Sequence, residues 1–346
     1  MINTKVYTPK DLDKKSVQND IRNTLLMGKN VIFPTETVYG IGAYALSEAG
    51  VKSIYSVKGR PSDNPLIMHF SNPKDILNYV EINHDYVKDL MQAFWPGPLT
   101  LVLRKKTIVP DFITGGLDTV GVRIPGHEIA RKVIDIAGVP ICAPSANISG
   151  KPSATLFEHV FEDFNGKIDI IIDGGKSQVG LESTVVDVTE EVPVILRPGM
   201  ITKAMIKSIT KEVKLNTEVI GEEIPKAPGM KYKHYAPSGK LIIVEGEEKK
   251  VIDYINKKTR EYELQDLKVG VISTNKIAHQ FIAQFIYQVG EQNEEEAIAS
   301  NLFAALRKMD SMKIDIIYSL SFSKGNYEEA IMNRLLKAAN NNIIRL

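Results

Sequence analysis

The stretch Val31-Ile32-Phe33-Pro34-Thr35-Glu36-Thr37-Val38-Tyr39-Gly40-Ile41-Gly42 runs from a short apolar strand into a turn rich in hydroxyls and closed by glycines. Val31 to Phe33 reads as a buried strand, and Pro34 ends its central pairing because proline cannot donate to a ladder. Thr35, Glu36 and Thr37 then gather two hydroxyls and a carboxylate at the strand end, while Gly40 and Gly42 would let backbone approach a ligand closely. A ligand site and an ordinary strand-to-loop turn both fit this stretch alone.

On either side, helices and strands alternate. Val17, Ile21, Leu25 and Leu26 have helical spacing with Gly28 as a stop, so a helix over 17–29 leads into the opening strand. Ser47 is placed to cap a second helix whose Val51, Ile54 and Tyr55 face a core and whose C′ position suits Gly59. Lys58 and Arg60 fall at that helix end, where the macrodipole favours cations by roughly a few tenths of a kcal/mol whether or not a ligand binds. The proline-bracketed loop from Pro61 to Pro65 carries these cations into the apolar strand Leu66 to Phe70, which holds His69. A histidine so placed is either packed or a ligand, depending on what lies opposite it.

Trp95-Pro96-Gly97-Pro98 ends a helix over 85–94 and precedes a strand from Leu99 to Leu103. Further on, Arg123 interrupts an otherwise apolar strand. It calls for an anion, which a ligand or a neighbouring acidic side chain could supply. Helix 127–137 feeds Val139 to Cys142, and Ala143-Pro144-Ser145-Ala146-Asn147-Ile148-Ser149-Gly150 forms a second hydroxyl-rich strand end. Ser145 and Asn147 there can donate to phosphate or carboxylate oxygens. Strands Ile168 to Ile172, Val185 to Val188 and Val194 to Leu196 follow, the last closed by Arg197.

Gly40-Ile41-Gly42-Ala43-Tyr44-Ala45 matches a loose dinucleotide-binding pattern, but its glycines do not open a helix directly after the strand. Asp63, about twenty residues on, follows a helix and a loop rather than a second strand, so a nicotinamide site is rejected.

The 346 residues suggest two domains, and 43% hydrophobic with 25% charged residues is ordinary globular composition. No stretch is apolar for long enough to span a membrane, and no apolar run follows Met1-Ile2-Asn3-Thr4-Lys5, so a cytoplasmic protein is expected. The single cysteine, Cys142, excludes an internal disulfide framework and reads as a small buried strand residue. A net charge of +1, spread evenly along the chain, argues against strong direct nucleic-acid binding.

Beyond residue 200 the character changes. A helix over 203–213 gives way to an irregular polar run, so a first domain over 1–210, a linker over 211–238 and a second domain over 239–346 are expected. The linker's Ala227 to Pro237 segment holds more aromatics and cations than a simple spacer would. The tail alternates strands (Leu241 to Val244, Val269 to Ser273, Ile314 to Ser319) with helices over 247–258, 276–283, 294–309 and 327–339, the pattern of a small open α/β sheet.

Four separated blocks resemble the threonylcarbamoyl-AMP synthases in their long two-domain form: Pro34 to Gly40, Lys58-Gly59-Arg60-Pro61, Ala143 to Gly150, and His234-Tyr235-Ala236-Pro237. Ser183-Thr184 and Leu196-Arg197-Pro198-Gly199 join them, and the tail is similar more loosely. The resemblance implies an α/β architecture: a YrdC-like twisted mixed sheet whose helices form a concave site, plus a smaller Rossmann-like C-terminal domain. The implied activity is synthesis of L-threonylcarbamoyl-AMP and pyrophosphate from L-threonine, bicarbonate or CO₂, and ATP, the first step of tRNA threonylcarbamoyladenosine modification.

Carried over residue by residue, the resemblance makes Lys58 and Arg60 catalytic. It assigns ATP to Arg60, Asn64, Thr119, Ser145, Asn147, Ser153, Arg197 and Tyr235. It assigns threonine to Thr37, His69, Arg123 and Ser183, with Arg123 gripping the carboxylate. Mg²⁺ is expected on the ATP phosphates rather than on protein ligands alone, the Tyr232 to Tyr235 segment is the expected lid, and a tRNA threonylcarbamoyl-transfer machinery is the expected downstream partner. The competing readings are a noncatalytic RNA-binding module of the same fold and carbamoyl transfer in another pathway.

Overall fold

The computed structural model describes residues 2–216, 235–322 and 325–346. Most of the expected linker, including His234 and the start of the lid, lies outside them. The described residues form two compact units, the first of 2–149, 154–178 and 182–216 and the second of 150–153, 179–181 and the residues from 235 on.

The first unit is built on a twelve-stranded mixed sheet. Eight of its strands are adjacent in the order Val31–Phe33, Gly40–Tyr44, Ile141–Cys142, Ile67–His69, Thr119–Arg123, Leu99–Lys105, Thr184–Asp187, Val194–Arg197. Because side chains alternate between faces, register decides which residues share a side. Met68, Val122, Leu101 and Val186 point into the main apolar core, with Ile41 and Ala43 beside them. The opposite face therefore receives His69 and Arg123, which pair directly, and Thr100 and Arg197, which both pair with Val185. A second apolar cluster, including Phe33, Ile141, Val133 and Leu25, packs helices Lys15–Leu26 and Glu128–Ala137 against the other part of the sheet.

One local expectation is corrected. Gly40 and Gly42 do not close a turn; they belong to strand Gly40–Tyr44, antiparallel to Val31–Phe33. A Cβ on Gly42 would stand 2.7 Å from both Phe33 and Ile141, so the missing side chain admits core packing rather than a ligand. Cys142 is fully buried in its strand, and burial pushes its thiol up to about 12.

The second unit is a five-stranded parallel sheet in the order Phe285–Gln288, Val269–Ser273, Ile316–Leu320, Lys240–Glu245, Ile343–Arg345. Helices Glu248–Glu263, Glu295–Ser311 and Glu328–Ala338 connect its strands. The open α/β sheet expected of the tail is present, with two corrections. The helix expected over 276–283 is only Asn275–Ala278, because Phe285–Gln288, rich in strand formers, adds an edge strand just after it. Ile343–Arg345, not anticipated, closes the other edge. No helix among the described residues is long and apolar enough to cross a membrane.

Leu101 is fully buried at the middle of the large sheet, whereas Leu264 is 88% exposed. Leu101→Ala is expected to cost about 2–5 kcal/mol through lost burial and a residual cavity. Leu264→Ala should stay within about 0.5 kcal/mol. Urea denaturation followed by circular dichroism compares the two.

Candidate active site

Arg123 ends its strand on the polar face, and both the guanidinium and its carboxylate partner are almost entirely buried. Nη2 donates to Glu36 Oε1 at 2.7 Å, Nη1 to Thr37 Oγ1 at 3.0 Å, and Nε to the Gly97 carbonyl at 3.2 Å. The acidic neighbour considered from sequence is thus Glu36, which the resemblance had left without a role. Burial opposes ionisation of the Glu36 carboxyl, yet the adjacent Arg123 charge and its hydrogen bonds hold it below the usual range. Leaving either partner uncompensated would cost about 3–5 kcal/mol. Thr37 is steadied in turn by Thr35, whose hydroxyl lies 2.8 Å away and donates to the Val38 carbonyl at 2.6 Å.

His69 lies beside Arg123 in register and is fully enclosed, with Nδ1 3.1 Å from the Ile67 carbonyl. Burial, reinforced by the Arg123 charge, pushes its pKa down to about 3. It is therefore a neutral imidazole at physiological pH. Across the same face, Thr100 and Ser183 hydroxyls are 2.8 Å apart, and Arg197 donates to the Ser183 carbonyl at 3.1 and 3.0 Å and to its hydroxyl at 3.2 Å. Gly199 lets this corner close, since a Cβ there would stand 2.5 Å from the Thr184 nitrogen. Thr100 was missed in the sequence; its one signal is a hydroxyl within the run Leu99 to Leu103, on the face that Arg123 occupies.

A second polar group forms where helix Glu48–Lys58 ends. Ser47 caps that helix by accepting from Gly50 N, and Gly59 ends it in the left-handed conformation at φ 61°. Val51, Ile54, Tyr55 and Lys58 fall on one buried stripe at helical spacing, so the Lys58 stem packs inward with the core residues. Its ammonium donates to the Ser145 and Asn147 carbonyls, both at 2.5 Å. Ser145 Oγ donates to Asn147 Oδ1 at 2.6 Å, and Ser149 N to the Lys58 carbonyl at 2.8 Å. Arg60 Nη2 donates to the Pro65 carbonyl at 3.1 Å, and Tyr55 to the Asn64 carbonyl at 3.1 Å. Asn64 Oδ1 is buried without a hydrogen-bond partner.

Thr119 begins the strand that Arg123 ends. The two are separated by about 13 Å of extended chain. Thr37, His69, Arg123, Ser183 and Arg197 are thus drawn into one linked row through Glu36 and Thr100, and Lys58, Ser145 and Asn147 into a second, hydrogen-bonded group. Ser153 and Tyr235 belong to the second unit, where Ser153 is fully buried and the Tyr235 ring packs 5.0 Å from that of Phe303. Among the described residues, no group of three or more His, Cys, Asp or Glu side chains is arranged to hold a metal.

Two buried arginines, a pair of bonded hydroxyls and a neutral imidazole share one sheet face, a set of groups suited to binding anions. Comparison with known proteins makes the class specific. A Sua5/YciO/YrdC family model described as telomere recombination matches residues 23–199, and one described as threonylcarbamoyl-AMP synthase, C-terminal domain, matches 201–340. Threonylcarbamoyl-AMP synthase of Pyrococcus abyssi is 48% identical over 321 residues, covering 92% of this chain and 93% of that protein. The Bacillus subtilis protein of the same name is 43% identical over 317 residues, covering 91% and 90%. The crystal structure of Pyrococcus abyssi Sua5 complexed with L-threonine superposes with a TM-score of 0.91 at 44% identity, covering 99% of each chain. The chain belongs to the threonylcarbamoyl-AMP synthase family, and it is an enzyme of the nucleotidyl-transfer type.

The buried His69 carries a pH signature. Unfolded, it would titrate near 6.5; folded, it takes a proton only near 3. Its contribution to stability is therefore complete above 6.5 and is lost as pH falls toward 3. Glu36, ionised below its reference value of 4.5, adds a further loss beneath that pH. Urea midpoints measured between pH 7 and pH 5 should fall in the parent, and fall less in His69→Gln. A residual slope is expected from His127, whose pKa is lowered chiefly by burial.

Proposed function

We propose that this enzyme makes L-threonylcarbamoyl-AMP and pyrophosphate from L-threonine, bicarbonate or CO₂, and ATP, as the first step of threonylcarbamoyladenosine formation on tRNA. The threonine amine captures the one-carbon unit as a carbamate, a carbamate oxygen attacks the α-phosphorus, and pyrophosphate leaves. With bicarbonate as donor, one water is also released. Three anions must converge for this: the amino-acid carboxylate, the carbamate and the triphosphate. The observation that carries the reading is the row of His69, Arg123, Ser183 and Arg197 on one sheet face, with a separate group around Lys58.

In this reading threonine lies along the row. Arg123 takes its carboxylate, Thr37 and Ser183 supply hydroxyl partners, and the neutral His69 offers hydrogen bonding without adding charge. Arg197, donating to Ser183, stands where the threonine end meets the α-phosphate, and its fork suits phosphate oxygens. Lys58 supplies positive charge while its hydrogen bonds hold the Ser145 to Asn147 segment as a nucleotide cradle, with Arg60, Asn64 and Thr119 as further contacts. The donors here are cations, hydroxyls and amides rather than clustered carboxylates, which suits a Mg²⁺ ion carried by ATP itself. Mg²⁺ would offset phosphate charge as pyrophosphate departs. Positioning and charge stabilisation, more than a strong base, drive the reaction.

The product is a reactive mixed anhydride, so a tRNA-modifying transferase acting soon after synthesis, in the cytoplasm, is the natural partner. The balanced net charge supports small-molecule chemistry over a noncatalytic RNA-binding role.

Pyrophosphate release should require both threonine and bicarbonate. Arg197→Ala should lower kcat/KM by about 10²–10³-fold, as expected when a charge-stabilising donor is lost. Release that ignores threonine in the parent protein would sink this reading.

A further inference from the structure

The reaction outlined above uses Thr37 and Arg123 but gives no task to Glu36, which precedes Thr37 in the chain and is ion-paired to Arg123. A guanidinium carries five N–H donors. In Arg123, Gly97, Thr37 and Glu36 engage one each, on Nε, Nη1 and Nη2 respectively. One N–H remains on each terminal nitrogen, the number that a bidentate carboxylate accepts.

A long, flexible arginine stem does not by itself choose the direction in which that pair points. Its three acceptors do, and each is anchored elsewhere. Gly97 is fixed through its own N–H to the Ile124 carbonyl at 2.9 Å, and Thr37 by Thr35 at 2.8 Å. The Glu36 carboxylate is backed by Gly126, where a Cβ would come within 3.2 Å of Oε1. Glu36 also places a negative charge beside a guanidinium that is only 5% exposed, so the fold holds a neutral pair there rather than a lone buried cation.

We propose that Glu36 is the positioning residue of the threonine end, orienting the Arg123 guanidinium so that its two remaining N–H groups meet the substrate carboxylate and compensating its charge until that carboxylate arrives. Glu36 acts through Arg123 and does not touch the substrate. The inference rests on the reading that Arg123 binds threonine.

Steady-state pyrophosphate release tests it in Glu36→Gln, Glu36→Asp, Arg123→Ala and the Glu36→Gln/Arg123→Ala double variant. Glu36→Gln should raise KM for threonine about tenfold or more while KM for ATP stays within about twofold, and Glu36→Asp should recover part of the loss. The double variant should be no worse than Arg123→Ala alone, since Glu36 has nothing left to position. Equal increases in both KM values, or losses in the double variant that multiply, overturn the proposal. Should Glu36→Gln be too unstable for kinetics, the threonine-induced rise in Tm of Glu36→Asp decides. A rise smaller than that of the parent supports the proposal, and an equal one overturns it. A parent enzyme indifferent to threonine refutes the underlying reading; a threonine-dependent parent with an unaffected Glu36→Gln refutes this proposal alone.

Discussion

The first unit depends on burying a full positive charge on the polar face of a sheet whose other face is packed with hydrocarbon. Arg123 is 4% exposed, and its enclosure is tolerable only because Glu36, Thr37 and the Gly97 carbonyl meet it in three directions. These partners come from segments far apart in sequence, with 87 residues separating Arg123 from Glu36. The turn from Pro34 to Tyr39 must therefore fold over the sheet rather than away from it. The Thr35 hydroxyl, donating to Val38, enforces that local path.

Strand alternation explains why apolar core and reactive groups share the same strands. In Ile67–His69 and Thr119–Arg123, Met68 and Val122 face the core while His69 and Arg123 lie on the opposite, polar face. In Leu99–Lys105, Leu101 and Leu103 are core residues while Thr100 reaches Ser183. The Lys58 group works differently. There a helix stripe turns a cation inward, and backbone carbonyls of a second loop receive it. Rigid elements thus place both groups, and the loops they hold contribute the hydroxyls and amides.

Much of this was legible from residues alone. Periodicity marked most strands and longer helices, Ser47 and Gly59 marked the ends of their helix, and hydroxyl-rich strand ends marked the two polar groups. Register was not legible: nothing local in Leu99 to Leu103 says that Thr100 will lie beside Ser183. The same limit hid the Arg123 partner, because choosing Glu36 over other acids needs the strand pairing. Gly40 and Gly42 misled for a related reason. A glycine that admits a ligand and one that admits Phe33 and Ile141 look identical until the neighbouring strands are placed. The edge strand Phe285–Gln288 was likewise decided by its parallel partner, not by its own spacing.

The row from His69 through Arg123 and Thr100 to Ser183 and Arg197 is stitched across five adjacent strands whose chain order differs from their spatial order. No contiguous fragment ending before Arg197 contains it. During synthesis, this row must therefore stay incomplete until nearly the whole first unit has left the ribosome, and it then forms through long-range pairings that close slowly compared with local helices. Until then, the edge of Leu99–Lys105 that Thr184–Asp187 will cover has no partner. The interval between emergence of Leu99–Lys105 and its pairing with Thr184–Asp187 is consequently a stage at which the nascent enzyme is open to misassembly.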